Sequence, residues 1–276
     1  MFAKSCLFEK KLLPKYHFVI LGFCLFDPQK GQLPFLRKSE IAYFCLRLKH
    51  TKQMKQGKVY FVSGIDTNIG KTYATGAIAR AMAEAGCSVI TQKMIQTGCR
   101  EMSEDIEMHR RIQGIPLQAE DLSGLTCTYL YSYPCSPHMA AEEEGRPVDL
   151  ARITEATKTL QERYDYVLLE GAGGLMVPID RNTLTIDYIQ SENYPLILVT
   201  SGKLGSINHT LLSLDACRQR GIEVAALVYN LHPSVDAKIE SATLDYLQTQ
   251  LPGIPLILLT EIKEEAGQWP DVRELI

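Results

Sequence analysis

Val62-Ser63-Gly64-Ile65-Asp66-Thr67-Asn68-Ile69-Gly70-Lys71-Thr72 is the stretch that decides the reading of this chain. An apolar, β-branched run, Val59–Ser63, leads into it. Residues 71–85 (KTYATGAIARAMAEA) follow with helical character and stop at Gly86, a residue suited to the left-handed cap of a helix. Strand, glycine-flanked loop and helix in that order form an anion cradle, in which loop N–H groups and the helix N-terminus face a phosphate. Lys71 is placed to reach the β- and γ-phosphates of a nucleotide, and Thr72 to offer its hydroxyl to Mg²⁺. Five residues separate Gly64 from Gly70, one more than the strict G-x-x-x-x-G-K-[ST] spacing. The longer loop keeps the Gly-Lys-Thr end that does the phosphate work.

Outward from this loop the pattern repeats. Candidate strands are Ser88–Gln92, Tyr166–Glu170, Leu196–Thr200, Val224–Tyr229 and Leu256–Leu259. Several are apolar on both faces, as strands covered by helices on both sides require. Helical segments are predicted at 150–162 behind Asp149 as N-cap, at 206–220 ending at Gly221, and at 236–250 before Pro252. This alternation predicts an α/β fold of the P-loop NTPase kind: a doubly wound, mainly parallel sheet with helices on both faces, built from right-handed βαβ units. In such a sheet ligands sit beyond the carboxyl ends of the strands.

Charge divides the chain of 276 residues into two parts. Residues 1–57 carry 11 Lys/Arg against three Asp/Glu; the remainder carries 18 against 29. Residues 58–276 read as a single domain. The basic start, with the apolar run His17–Phe26, lacks a small-x-small cleavage site, and Met54 stands four residues before the first strand. Residues 1–57 are therefore expected to be an extension, with residues 1–53 poorly ordered or upstream of the true start. A net charge of −3 is unsuited to coating nucleic acid, and no stretch of 18 apolar residues is available to cross a bilayer. The eight cysteines form no C-x-x-C pair and read as reduced, mostly buried thiols of a cytoplasmic protein.

The polar residues just after the strands carry the chemistry. Glu170 ends a buried strand and runs into Gly171-Ala172-Gly173-Gly174; an acid there suits a metal, or caps a turn. Asp105 opens a helical stretch and reads equally as a metal ligand or a first-turn acid. Lys93 follows the second strand, where its charge could face a phosphoryl group or an anionic substrate.

Together these residues resemble the dethiobiotin synthetase family. The resemblance rests on the long phosphate loop, Lys93 with Thr97-Gly98, Ser136-Pro137-His138, Glu170-Gly-Ala-Gly-Gly, Lys203-Leu-Gly-Ser-Ile-Asn-His209 and Asn230, in that order from residue 58 to about 260. It implies ATP- and Mg²⁺-dependent closure of 7,8-diaminononanoate with CO₂ into a cyclic urea, through a carbamate and a carbamic–phosphoric anhydride. Lys71, Lys93 and Thr67 would be catalytic. Asp66, Asn68, Ile69, Gly70, Lys71, Thr72, Tyr73 and Asn230 would bind nucleotide, Asn230 at the adenine edge. Thr72, Asp105 and Glu170 would hold the metal. Thr97, Gly205, Ser206 and Asn208 would bind substrate, the last three from the neighbouring subunit of a homodimer. His209 is read as structural and His138 as a helix-entry residue.

Two positions depart from relatives. Asn68 stands at a loop position that is acidic in some of them. Met94 follows Lys93 where proline is common, a change expected to loosen the turn. Two other classes share the nucleotide domain. Partition and septum-site switch ATPases carry a second lysine inside the loop, and positions 65–69 here have none. Corrinoid amide synthases need a glutamine-hydrolysing domain for which there is no room.

Overall fold

The computed structural model describes residues 56–234, 236–260 and 269–276. The expectations for residues 1–53 and for the basic extension up to Lys55 lie outside the described residues. Six strands form the main sheet: β1 (Lys58–Gly64), β2 (Val89–Lys93), β5 (Tyr166–Gly174), β6 (Leu196–Ser201), β7 (Val224–Asn230) and β8 (Leu256–Leu259). Two short strands, β3 (Gln96–Thr97) and β4 (Leu130–Tyr131), pair with each other in a separate two-stranded sheet. The helices are α1 (Lys71–Glu84), α2 (Glu104–Gln113), α3 (Ala119–Leu122), α4 (Pro137–Glu143), α5 (Leu150–Gln161), α6 (Thr185–Glu192), α7 (Ser206–Gln219) and α8 (Ala237–Gln250).

The main sheet has the order β2-β5-β1-β6-β7-β8, with every neighbouring pair parallel. Successive side chains on a strand point to opposite faces, and two separate cores follow. Val59 and Phe61 of β1, with Leu196 and Leu198 of β6, pack in one core against Ile153 and Leu160 of α5 and Ile186 and Ile189 of α6. Tyr60 and Val62, with Ile197 and Val199, pack in the other against Ala74, Ile78 and Met82 of α1 and Ile112 of α2. Both faces are covered, which is why these strands are apolar on both faces. The C-terminal segment joins the second core through Val272 and Leu275, and Tyr60 donates its hydroxyl hydrogen to the Leu275 carbonyl at 2.8 Å.

Helix boundaries follow local chemistry. Asp149 caps α5 by accepting from the Ala151 N–H, and Gly86 and Gly221 take positive φ just past the ends of α1 and α7. Two expectations need correction. Strand β5 runs four residues past Glu170, because Gly174 is small enough to pair beside Gly64 of β1. Of the five cysteines among the described residues, only Cys99 and Cys217 are buried; Cys87, Cys127 and Cys135 are partly exposed, and all five are free.

A buried cluster anchors α2 to the sheet. Arg110 is 2% exposed and makes a two-pronged pair with Asp121, both bonds 2.8 Å, while its guanidinium also donates to Thr91 and Gln113. Burial by itself would raise the Asp121 carboxyl, but the Arg110 hydrogen bonds outweigh it and hold the carboxyl below its ordinary range. Its contribution is thus fully present above the ordinary pKa of 3.8 and fades as pH falls through the lowered value. Asp121→Asn is expected to cost about 3–5 kcal/mol at neutral pH, because it leaves a buried guanidinium without its counter-charge. Urea melts of both proteins should show that gap, and it should shrink below pH 4. A gap equally large in strong acid would contradict the assignment.

Candidate active site

The phosphate loop leaves β1 at Gly64 and enters α1 through Gly70, whose φ of +94° is a left-handed value. A Cβ on Gly70 would lie 2.2 Å from Asn230 Nδ2, so both the backbone conformation and the neighbouring amide demand glycine. No side chain caps the start of α1. Its first N–H groups are therefore left for a ligand, with the positive end of the helix dipole behind them. Asn68 has φ of +57°, a conformation asparagine tolerates well, so the departure at this position favours the loop's shape. Asp66, Thr67 and Asn68 are exposed along the loop, and Ile69 is buried beneath it. Lys71 Nζ donates to the Asp66 carbonyl at 2.9 Å and closes the loop on itself. Burial lowers its pKa to about 8; a bound phosphate would raise it again. Tyr73, in the first turn of α1, stacks on His232 with ring centroids 5.8 Å apart.

Beside the loop, four elements converge. Thr72 Oγ1 lies 3.0 Å from Asp105 Oδ1 and 3.1 Å from Glu170 Oε1. Lys93 Nζ donates to Glu170 Oε1 at 2.9 Å and to the Gly171 carbonyl at 3.0 Å, and pairs with Asp105 Oδ2 at 2.6 Å. Burial works against the Lys93 charge, but the Glu170 and Asp105 carboxylates outweigh it and hold the pKa above the ordinary lysine range. Lys93 is therefore a fixed positive charge rather than a base. Glu170 mirrors this: burial would raise it, yet Lys93 and His109 hold it below the usual carboxylate range. Ser103 caps α2, so Asp105 is a first-turn acid, and the same turn places its carboxylate beside Thr72.

His109 was not singled out in the sequence. Its Nε2 lies 2.8 Å from Glu170 Oε2, and the ring is fully buried. The signal for it is the four-residue spacing from Asp105, which puts both side chains on one face of α2. Met94 bears on a further expectation. Its N–H, which proline would lack, donates to the Glu170 carbonyl at 2.8 Å, and its side chain is 1% exposed. The backbone after Lys93 is thus tied to β5 and not left loose.

The remaining residues lie around this centre. Asn230 ends β7 with both amide hydrogens engaged, on the Ile69 carbonyl at 3.0 Å and the His232 carbonyl at 2.9 Å, while its Oδ1 accepts from His232 N–H. It braces the phosphate loop from behind. Thr97 is half-buried in β3 beside Tyr131 and makes no hydrogen bond to the Lys93–Glu170 cluster. Gly205, with φ of +95°, opens α7 without a side-chain cap; Ser206 is buried beside Ser201 and Asn208 is exposed. These three stand after β6, across β1 from Glu170. His138 sits in the first turn of α4, its Nδ1 3.0 Å from the hydroxyl of the N-cap Ser136, as a helix-entry residue would.

A family model described as an AAA domain matches residues 58–257. An ATP-dependent dethiobiotin synthetase of Haemophilus influenzae is 63% identical over 180 residues, spanning 65% of this chain and 94% of that protein. The chain belongs to the dethiobiotin synthetase family. A second family member, from Chlorobaculum tepidum, is 50% identical over 200 residues, 72% of this chain and 84% of its own length. Among solved structures, a ParA family ATPase from Chlorobium tepidum TLS aligns at 15% identity with a TM-score of 0.45, over 76% of this chain and 86% of that one. The AAA-domain match begins at β1 and ends in β8, so it takes in every element that builds this synthetase site.

Asn230→Ala removes the bonds that hold Ile69 and His232. At about 1 kcal/mol each they should cost roughly 1–3 kcal/mol of stability, and the slackened loop should bind nucleotide at least about tenfold more weakly, read by calorimetry. Unchanged affinity for ATP would show that the brace is not needed.

Proposed function

We propose that this chain catalyses the ATP- and Mg²⁺-dependent closure of 7,8-diaminononanoate and CO₂ to dethiobiotin, ADP and phosphate, in biotin biosynthesis. The observation that carries the reading is the convergence of Thr72, Asp105, Glu170 and Lys93 beside an uncapped helix start, in a chain 63% identical to a named dethiobiotin synthetase. We take residues 58–276 to be its one synthetase domain.

The donor set suits Mg²⁺. One hydroxyl and two carboxylates are hard oxygen ligands, and this ion commonly takes one or two carboxylates alongside phosphate oxygens and water. Phosphate oxygens and water would complete the set. Bound there, the ion would neutralise phosphate charge. Lys71 and the N–H groups of Asp66 and of residues 68–73 hold the triphosphate, and Asn230 Oδ1, with a lone pair to spare, takes the adenine amino group.

The reaction needs one amine of the diamine to take up CO₂ as a carbamate. A carbamate oxygen attacks the γ-phosphorus and ADP leaves; the second amine then attacks the carbonyl carbon and phosphate leaves. Lys93, charged throughout, stabilises the carbamate and the charge that builds on the transferring phosphoryl group. Thr67 and Thr97 orient the carbamate end by hydrogen bonding. Gly205, Ser206 and Asn208 receive the substrate carboxylate at the start of α7, from the second subunit of a homodimer. Support for that partner comes from Leu204 and Leu212, which are 82% and 62% exposed on the same element and its entry. The free cysteines suit a reducing cytoplasm.

Incubation with the diamine, bicarbonate, Mg²⁺ and ATP is expected to yield dethiobiotin, from a species of twice the chain mass. Lys71→Ala and Lys93→Ala should each lower the rate at least about a hundredfold, in line with loss of a preorganised charge. Phosphate release that ignores the diamine, or wild-type turnover in either variant, would refute the reading.

A further inference from the structure

The two oxygens of Glu170 have unlike surroundings. Oε1 faces the phosphate loop, 3.1 Å from Thr72 Oγ1 and 2.9 Å from Lys93 Nζ. Oε2 points away from it, 2.8 Å from His109 Nε2. A carboxylate only accepts, so the hydrogen between them sits on Nε2. His109 Nδ1 is buried without any hydrogen-bond partner, and the ring has 0% exposure. A leucine would fill this space without stranding a ring nitrogen. The imidazole's one polar contact is the bond to Glu170, and that bond offsets the cost of burying it. Asp105 lies one helical turn earlier on α2, so the helix that brings a carboxylate to Lys93 also brings the donor to Glu170.

We propose that His109 is a positioning residue that occupies Glu170 Oε2, so that Glu170 presents a single oxygen to the bound cation and the site selects Mg²⁺ or Mn²⁺ over Ca²⁺. This rests on Glu170 being a cation ligand, as proposed above. Small octahedral ions accept carboxylates through one oxygen. Ca²⁺ takes 6–8 ligands and readily uses both oxygens of a carboxylate. With Oε2 held by His109, the two-oxygen mode is closed. Residues that orient a ligand in this way typically change metal affinity by about 10–100-fold when replaced.

The test uses the full chain with a non-hydrolysable ATP analogue. Mg²⁺, Mn²⁺ and Ca²⁺ binding is measured by calorimetry for wild type, H109L, H109Q and E170Q, alongside cation-free melting temperatures. H109L should lower the Mg²⁺-to-Ca²⁺ affinity ratio by about tenfold or more. H109Q, whose amide nitrogen reaches Oε2 from a similar place, should keep the wild-type ratio even if it melts earlier. If H109L does not fold, H109N, too short to reach Oε2, takes its place with the same expectation. An unchanged ratio in H109L or H109N, with cation binding lost in E170Q, overturns the role of His109 and leaves the cation site standing. Wild-type cation binding in E170Q refutes Glu170 as a ligand, and the present proposal with it.

Discussion

The bond between Lys93 and Glu170 organises this molecule. Both groups are buried, at 4% and 0% exposure, and an isolated charge in such a place costs several kcal/mol in lost hydration. The cost is met by complete pairing. Each Lys93 ammonium hydrogen has an acceptor, in Glu170, Gly171 and Asp105, and both Glu170 oxygens have donors. The two residues are register partners on β2 and β5, so sheet formation itself brings them together. Once they meet, α2 is drawn in through Asp105 and His109, and α1 through Thr72. A set of charges that would be untenable singly becomes a fixed electrostatic frame around the phosphate loop.

That frame explains why the site lies where it does. The chain runs from β1 out to β2, returns through β5 to lie between them, then crosses to β6 on the far side of β1. The carboxyl ends of β1, β2 and β5 therefore meet beside one loop, at the point where the winding reverses. The glycines after Glu170 keep the approach open. Gly171 would press a Cβ to 2.8 Å from Phe61, and Gly174 lies against the Gly64 carbonyl. Side chains at these positions would push β5 away from the phosphate loop.

Much of this was legible in the residues. All six main strands were visible, five of them as mainly apolar runs, because burial on both faces leaves few polar positions to blur them. Lys71, Thr72, Lys93, Asp105 and Glu170 were visible because each ends or follows a candidate strand or opens a helix, where chemistry concentrates. The two-residue strands β3 and β4 were not, since such short pairs show no periodicity. His109 escaped because a four-residue spacing from an acid is common on helices; its meaning comes from a glutamate 61 positions away. Met94 was misjudged because a backbone N–H is invisible in side-chain comparison. The bracing of the phosphate loop by Asn230 depends on strand-end geometry that spacing does not encode.

The most direct test of a single crevice holding triphosphate and CO₂-loaded diamine is the fate of oxygen. In a single turnover with ¹⁸O-labelled bicarbonate, faster than exchange with water, the phosphorus that accepts a carbamate oxygen should keep it when the ring closes. Phosphate released with dethiobiotin is then expected to carry one labelled oxygen. Unlabelled phosphate, or phosphate that takes its new oxygen from labelled water, would contradict the account.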